Sequence, residues 1–429
     1  MTVRNRRVSV RIVTTVEFHT LPEAHVDRAL DHAHLVFHET PEEKTRKQHR
    51  DLLLRCERIG AYEGDRLVGL AAALPFQLSV PGGELPVAGL TFVSVAPTHR
   101  RRGVLTGLLD ESARRCAVNG QPLSVLWASE AAIYGRFGFG PATGAYSVEI
   151  DSTRPLDLRL APDERPLRLV APDEAPALLA AAHSAQRAVR AGRIARDEHW
   201  WREEVLREED EDYKELSPPR VVVLGGDEVP PGGGAPRPSG YAVYRTRGGN
   251  EELRTSGLVQ VTELEADTPA VAASLWRYLV SIDLTGQVRA PGRPLDDPLL
   301  LFAADRDQVR VTDQSPALWL RLTDPATALT ARSWAAPVDV VLEVTDVRLP
   351  ANAGRFRLTA GPAGATYRPT SDAAELALDI RELGACYLGG AELTRMVLAG
   401  LVTEHSPGAA ARLDAALRTT YLPHATDGF

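Results

Sequence analysis

From Ala61 to about Ile150, short apolar runs alternate with stretches that keep a helical spacing. Arg58–Tyr62 and Leu67–Leu78 read as strands, and Pro81-Gly82-Gly83 as the turn that follows them. Leu90–Ala96 is another strand, and Leu123–Ser129 is a continuous apolar run of the kind buried on both faces. Between them, Val104, Leu105, Leu108, Leu109, Ala113, Cys116 and Ala117 recur at helical period within Gly103–Val118. Asp110, Glu111, Arg114 and Arg115 take the opposite face. Strand, turn, helix and strand in that order predict an α/β unit.

A second segment starts near Asp151. It carries predicted helices at Ala175–Ala191, Arg196–Glu211 and Thr268–Leu284, with strands at Arg220–Leu224 and Tyr241–Thr246. Val229–Ser239, rich in proline and glycine, is expected to be a mobile hairpin loop. A third segment begins around Pro316 and reads as α+β. Its expected strands are Leu318–Leu322, Val338–Val344, Arg355–Leu358 and Glu375–Asp379, and its helices Pro325–Arg332, Gly390–Ala399 and Pro407–Arg418. The expected division is therefore 1–150, 151–315 and 316–429.

Composition narrows the function classes. A chain of 429 residues with 44% hydrophobic and 25% charged residues is globular and not disordered. Lys and Arg number 49 against 57 Asp and Glu, a formal charge of −8, which disfavours nucleic acid and suits cationic ligands. Cys56, Cys116 and Cys386 match no metal spacing and suggest a reducing compartment. The basic Met1–Arg7 leads into a stretch broken by Arg11 and Glu17, so neither a secretory leader nor a membrane span is expected. A cytoplasmic protein follows.

The strongest chemical signal is Val93-Ser94-Val95-Ala96-Pro97-Thr98-His99-Arg100-Arg101-Arg102-Gly103-Val104-Leu105. A strand ends at proline, passes a basic turn and opens a helix at glycine. Such a turn leaves backbone N–H groups unpaired at the positive end of a helix, which makes an anion cradle. The P-loop and the Rossmann glycine fingerprint are both absent. An ordinary basic surface turn is the alternative.

This turn resembles the acetyl-CoA pyrophosphate loop of GNAT acetyltransferases, Arg/Gln-x-x-Gly-x-Gly/Ala, with Leu105 at the last position. Val95–Leu105 is most similar to the loop of the Eis-like (enhanced intracellular survival) aminoglycoside N-acetyltransferases. Ala128-Ser129-Glu130 and Ile133-Tyr134-Gly135-Arg136-Phe137-Gly138-Phe139-Gly140-Pro141-Ala142 resemble a second segment of that family. Thr426-Asp427-Gly428-Phe429 resembles its terminus, with Gly428 where better-known members carry an acidic residue. Asp324–Leu329 and Leu383–Gly390 resemble its sterol-carrier-like domain.

The resemblance implies two GNAT-like domains followed by a sterol-carrier-like domain, and an acetyl-CoA-dependent N-acetyltransferase. It implies that the Val93, Ser94 and Val95 backbone pairs with pantetheine. Arg101, Arg102, Gly103, Val104, Leu105 and Thr106 would hold the pyrophosphate, with Ser129 and Glu130 nearby. Tyr134 would be the general acid and the Phe429 carboxylate the base, with a water relay as the alternative. Phe92 and Trp201 would meet the acceptor. The expected acceptor is a cationic amine: an aminoglycoside first, with polyamines or protein lysines as alternatives. A homo-hexamer, acetyl-CoA as co-substrate and no metal complete the expectation.

Other features have plainer readings beside the functional ones. Trp201 also suits helix packing, and the acidic run Glu203-Glu204 and Glu208–Asp212 suits a solvated face as well as a polyamine lure. His34 and His38 share a helical face, but no third ligand is visible for a metal. The rival from another class is a degenerate acetyltransferase that binds a lipid or small ligand.

Overall fold

The computed structural model describes residues 15–226, 236–249 and 256–429. The chain forms two compact units: one of Leu90–Arg115 with the described residues up to Leu74, the other of Pro75–Gly89 with Cys116–Phe429. Met1–Arg7 and most of the expected loop at Val229–Ser239 lie outside the described residues.

The first unit holds β1 (Val16–Thr20), α1 (Val26–Phe37), α2 (Glu43–Arg55), β2 (Glu57–Glu63), and parts of β3 (Arg66–Val80), β4 (Gly83–Val95) and α3 (Val104–Val118). The strands lie in the order β1-β2-β3-β4. β1 runs antiparallel to β2 with Val16 opposite Glu63, and β2 antiparallel to β3 with Glu57 opposite Ala73. Val104 and Leu108 of α3 pack with Ile59, Ala61, Val68 and Ala71. Small residues set how close the helix lies. A Cβ on Gly69 would stand 2.9 Å from Val104 Cγ1, and one on Gly107 would strike the Phe18 ring. Polar ties complete the join: Arg115 bonds Glu111, Glu57 and Thr20, at 2.9, 3.1 and 3.1 Å.

In the second unit, the Pro75–Val80 and Gly83–Gly89 parts of β3 and β4 meet through a turn. β5 (Leu123–Trp127), α4 (Ala131–Tyr134) and β6 (Gly140–Pro141) follow, then β7 (Gly144–Asp151), β8 (Leu167–Val170), α5 (Ala175–Val189) and α6 (Glu198–Trp200). β9 (Arg220–Gly225), β10 (Pro238–Arg247), β11 (Leu258–Ala266), α7 (Pro269–Val280), β12 (Gln287–Pro294), α8 (Leu299–Phe302) and β13 (Val309–Pro316) complete a seven-stranded sheet ordered β13-β7-β12-β11-β10-β9-β8. α7 buries Val271, Leu275, Trp276 and Leu279 on it, each large side chain contributing roughly 1.5–3 kcal/mol of burial.

β14 (Leu318–Leu322) leaves that sheet and runs antiparallel between β5 and β6, with Leu318 opposite Trp127. The last segment adds α9 (Pro325–Ala331), β15 (Val338–Thr345), β16 (Gly354–Gly361), β17 (Gly364–Pro369), β18 (Leu376–Asp379), α10 (Ile380–Cys386), α11 (Leu393–Leu398), β19 (Thr403–Glu404) and α12 (Ala409–Leu417). Its sheet is ordered β17-β16-β15-β18-β19.

The helix expected over Arg196–Glu211 is cut short after Val205. α6 starts where Asp197 caps the Trp200 N–H at 2.7 Å, widens into one π turn at Trp201–Val205, and stops at Leu206. Like charges fall at helical neighbours across that point, Glu204 with Glu208, which opposes continuation. Cys56, Cys116 and Cys386 are buried and unbonded to one another. Among the described residues, no helix is long and apolar enough to cross a membrane.

Candidate active site

The basic turn expected to hold the donor is built within the first unit. β4 carries Phe92 at φ 51, a left-handed conformation that is strained for a non-glycine residue by roughly 1–3 kcal/mol. The Ser94 hydroxyl donates to the Phe92 carbonyl at 3.2 Å. Ala96 N–H still donates to the Val68 carbonyl at 2.9 Å, and a short 3₁₀ turn at Pro97–His99 ends the strand.

His99 is buried beneath this turn and fixes it. Its Nε2 donates to Glu63 Oε2 at 3.1 Å, and its Nδ1 is hydrogen-bonded to the Thr98 hydroxyl at 2.8 Å. Glu63 also receives Arg102 at 2.7 Å. One of the three arginines is thus already partnered by a carboxylate, while Arg100 and Arg101 are exposed.

Arg101 at φ 60 and Gly103 at φ 82 flank Arg102, and α3 starts at Val104. Alternation into the left-handed region turns successive N–H groups toward one concavity at the helix start. A Cβ on Gly103 would meet nothing within 4 Å. Glycine is needed there for its conformation, and the open space before it suits a phosphate. Val104 is itself a core residue, so only its backbone belongs to the cradle. Leu105 and Thr106 are half-buried on the first turn.

Tyr134 ends α4 in the second unit and is 7% exposed. Burial, and then the charge of Glu130, raise its phenol above the ordinary value of about 10. The hydroxyl therefore keeps its proton throughout the neutral range. Phe139 stands edge-on to the ring at 6.1 Å. The return loop is held from afar: Arg321 on β14 donates to the Phe137 carbonyl and pairs with Asp346 at 2.9 Å. Ser129 and Glu130 are exposed just before α4.

The chain's last residues are also seated in the second unit. Asp427 receives Arg196 Nε at 2.7 Å and Trp200 Nε1 at 2.8 Å, and its carbonyl accepts Trp127 Nε1 at 2.7 Å. Arg196 also forks onto Glu263 at 3.0 and 2.7 Å. Burial alone would raise the Glu263 carboxyl, but Arg196, Tyr241 and Arg193 together outweigh it and hold the group below its ordinary range. The Tyr241 hydroxyl donates to the same carboxylate. From this anchor Phe429 reaches the Phe76 ring at 5.0 Å and the Gly89 backbone.

Trp201, expected at the acceptor, lies in a core with Val170, Leu179 and Tyr241, under Arg196 and edge-on to His183. Its neighbour Trp200 touches both Asp427 and Phe76 instead. Sequence reading also missed Arg196 and Glu263, which carry no local motif. His34 and His38 part at the end of α1, where His38 caps the helix in the left-handed region. His32 is buried and hydrogen-bonded to the Ser94 backbone, and burial lowers its imidazole.

Comparison with known families gives the class, that of the GNAT N-acetyltransferases. Acetyltransferase (GNAT) domain models match residues 17–142 and 192–322, and a sterol carrier protein domain model matches 325–425. An N-acetyltransferase of Streptomyces avermitilis is 39% identical over 382 residues, covering 88% of this chain and 90% of that protein. The N-acetyltransferase Eis of Mycobacterium tuberculosis is 35% identical over 367 residues, 84% and 85% of the two chains. The crystal structure of Eis1 from Mycobacterium abscessus superposes with a TM-score of 0.82 at 32% identity, covering 96% of this chain and all of that one. The chain belongs to the Eis family of N-acetyltransferases. GNAT acetyltransferases use acetyl-CoA and an amine acceptor.

Proposed function

We propose that this enzyme acetylates the amines of a cationic acceptor, aminoglycosides first, with Tyr134 as general acid and the Phe429 carboxylate as general base. Amide formation needs a neutral amine, a fixed thioester carbonyl and a proton for the departing thiolate. The Val93–Val95 backbone and the turn Arg101–Thr106 supply two holds on the donor, which is the proximity contribution. A backbone N–H beside Phe92 is the candidate for the developing oxyanion.

The observation that carries the reading is Tyr134. A buried phenol that keeps its proton at neutral pH has one available for the departing thiolate. Before attack, the acceptor's ammonium proton passes to the Phe429 carboxylate, directly or through water, which leaves the neutral amine that the reaction needs. The anchor at Asp427 supports that role by fixing the residue two before it. Trp200 stands beside the tail, at Asp427 and Phe76. A cytoplasmic homo-hexamer is part of the proposal, and exposed Leu284, Val347, Leu398 and Leu401 give a partner copy apolar surface to cover.

The test is thiol release from acetyl-CoA against aminoglycosides, polyamines and lysine peptides, with product masses. Turnover with an aminoglycoside and a gain of one or more acetyl groups is the expected result. Turnover confined to polyamines or lysine peptides would replace the acceptor. Failure to bind acetyl-CoA would overturn the proposal in favour of a ligand-binding protein.

A further inference from the structure

We propose that His34, Glu39 and His49 form a binding site for a divalent transition metal of the zinc class. The site is assembled by two helices and the turn between them. α1 closes with His38 at φ 61, and the N–H groups of both His38 and Glu39 fold back onto the His34 carbonyl, the latter at 2.9 Å. That reversal brings the Glu39 carboxylate beside the His34 imidazole. α2 is tied to α1 by Arg46 with Asp31 at 2.9 Å and Arg50 with Asp27 at 3.2 Å, and it delivers His49.

The geometry matches a metal's demands closely. His34 Nε2 and His49 Nδ1 lie 3.0 Å apart, with the rings 5.3 Å between centroids and inclined at 46°. One ligand atom from each of the three residues falls within 4.8 Å of the others. Two atoms each ~2.0–2.1 Å from a tetrahedral ion stand about 3.3 Å apart, so the imidazoles need to part by only a few tenths of an ångström. Glu39 is exposed and can close the remaining distance by side-chain rotation.

Two imidazoles and one carboxylate favour zinc, cobalt, nickel or copper over calcium or magnesium, which prefer oxygen ligands. Three protein ligands leave a fourth position for water. His49 also stands edge-on to Phe92 at 6.2 Å, which places the ion one side chain from the left-handed residue of β4. A direct imidazole–imidazole hydrogen bond is the competing account of the 3.0 Å distance. It requires no affinity for metal.

The experiment uses the full chain without a histidine tag. Cobalt(II) is titrated while the visible absorption of a tetrahedral site is followed, and zinc(II) is titrated against a chromophoric chelator. The expected result is one ion per chain. His49→Gln and Glu39→Gln should each weaken binding by more than the roughly tenfold lost when a group merely hydrogen-bonded to a ligand is removed. His38→Gln should leave it unchanged. Far-UV circular dichroism of each variant shows that the helices persist, and the exposed Glu39 keeps the test independent of the buried His34. No binding by the parent chain, or binding unchanged in His49→Gln, would overturn the proposal and leave the hydrogen bond as the explanation.

Discussion

The donor turn and the seat of the terminal residues solve the problem of positioning in opposite ways. The turn is local: Val93 to Thr106 are consecutive, its loop is exposed, and its shape comes from two left-handed residues and one buried histidine. The seat is non-local. Arg196 and Asp427 are 231 residues apart, Trp127 and Asp427 are 300 apart, and Arg196, Glu263 and Asp427 are all buried. A ligand can enter the first without displacing a side chain. The second is full of its own charges, so what it offers is a fixed direction for the residues that follow.

That contrast predicts how each region fails. Arg196→Leu leaves two buried carboxylates unpaired, and unfolding in urea should show a loss of about 3–5 kcal/mol. A loss below about 1 kcal/mol would mean that the seat is hydrated and yielding. Gly103→Ala should act on the other side of the comparison. It places a Cβ in the left-handed region for about 1–2 kcal/mol of stability, and calorimetry should show acetyl-CoA affinity reduced about tenfold, or ~1.4 kcal/mol. Unchanged affinity would remove the turn as the phosphate cradle.

The smallest expected effect is a pH dependence near α3. Hydrogen bonds from Arg114, and then from Arg115, depress the Glu111 carboxyl to about 2. A depressed acid contributes stability above its unfolded value, and that contribution is lost as pH falls from about 4.5 toward 2. Glu111→Gln should therefore show a shallower loss of stability over that window in acid titrations followed by circular dichroism. An identical acid profile would show that the pair with Arg114 contributes nothing measurable.

The same contrast explains what sequence reveals. The strand, turn and helix of Val93–Thr106 and the short helix at Tyr134 were legible as local structure because their residue types are set by local geometry. Gly103 must be glycine where φ is 82. The seat could not be read, because nothing adjacent to Arg196 announces a partner more than two hundred residues away. Trp200 and Trp201 part in the same way: one meets the tail and the other the core, since one residue's step on a helix turns the side chain by about 100°. The acidic run was read as helix on length and composition, and the repulsion among its charges together with the π turn ended it early. The strand at Leu318–Leu322 was legible as a strand, while its place between β5 and β6 was not. Pairing partners depend on topology rather than on residue type.

The central claim is that one region holds the donor and a separate residue discharges it. The most direct test compares kcat with acetyl-CoA affinity for Tyr134→Phe. Loss of the proton donor should lower kcat by roughly 10²–10³-fold while the Kd for acetyl-CoA stays within twofold of the parent. A kcat equal to the parent's, or a loss of acetyl-CoA binding as large as the loss of kcat, would contradict that division of labour.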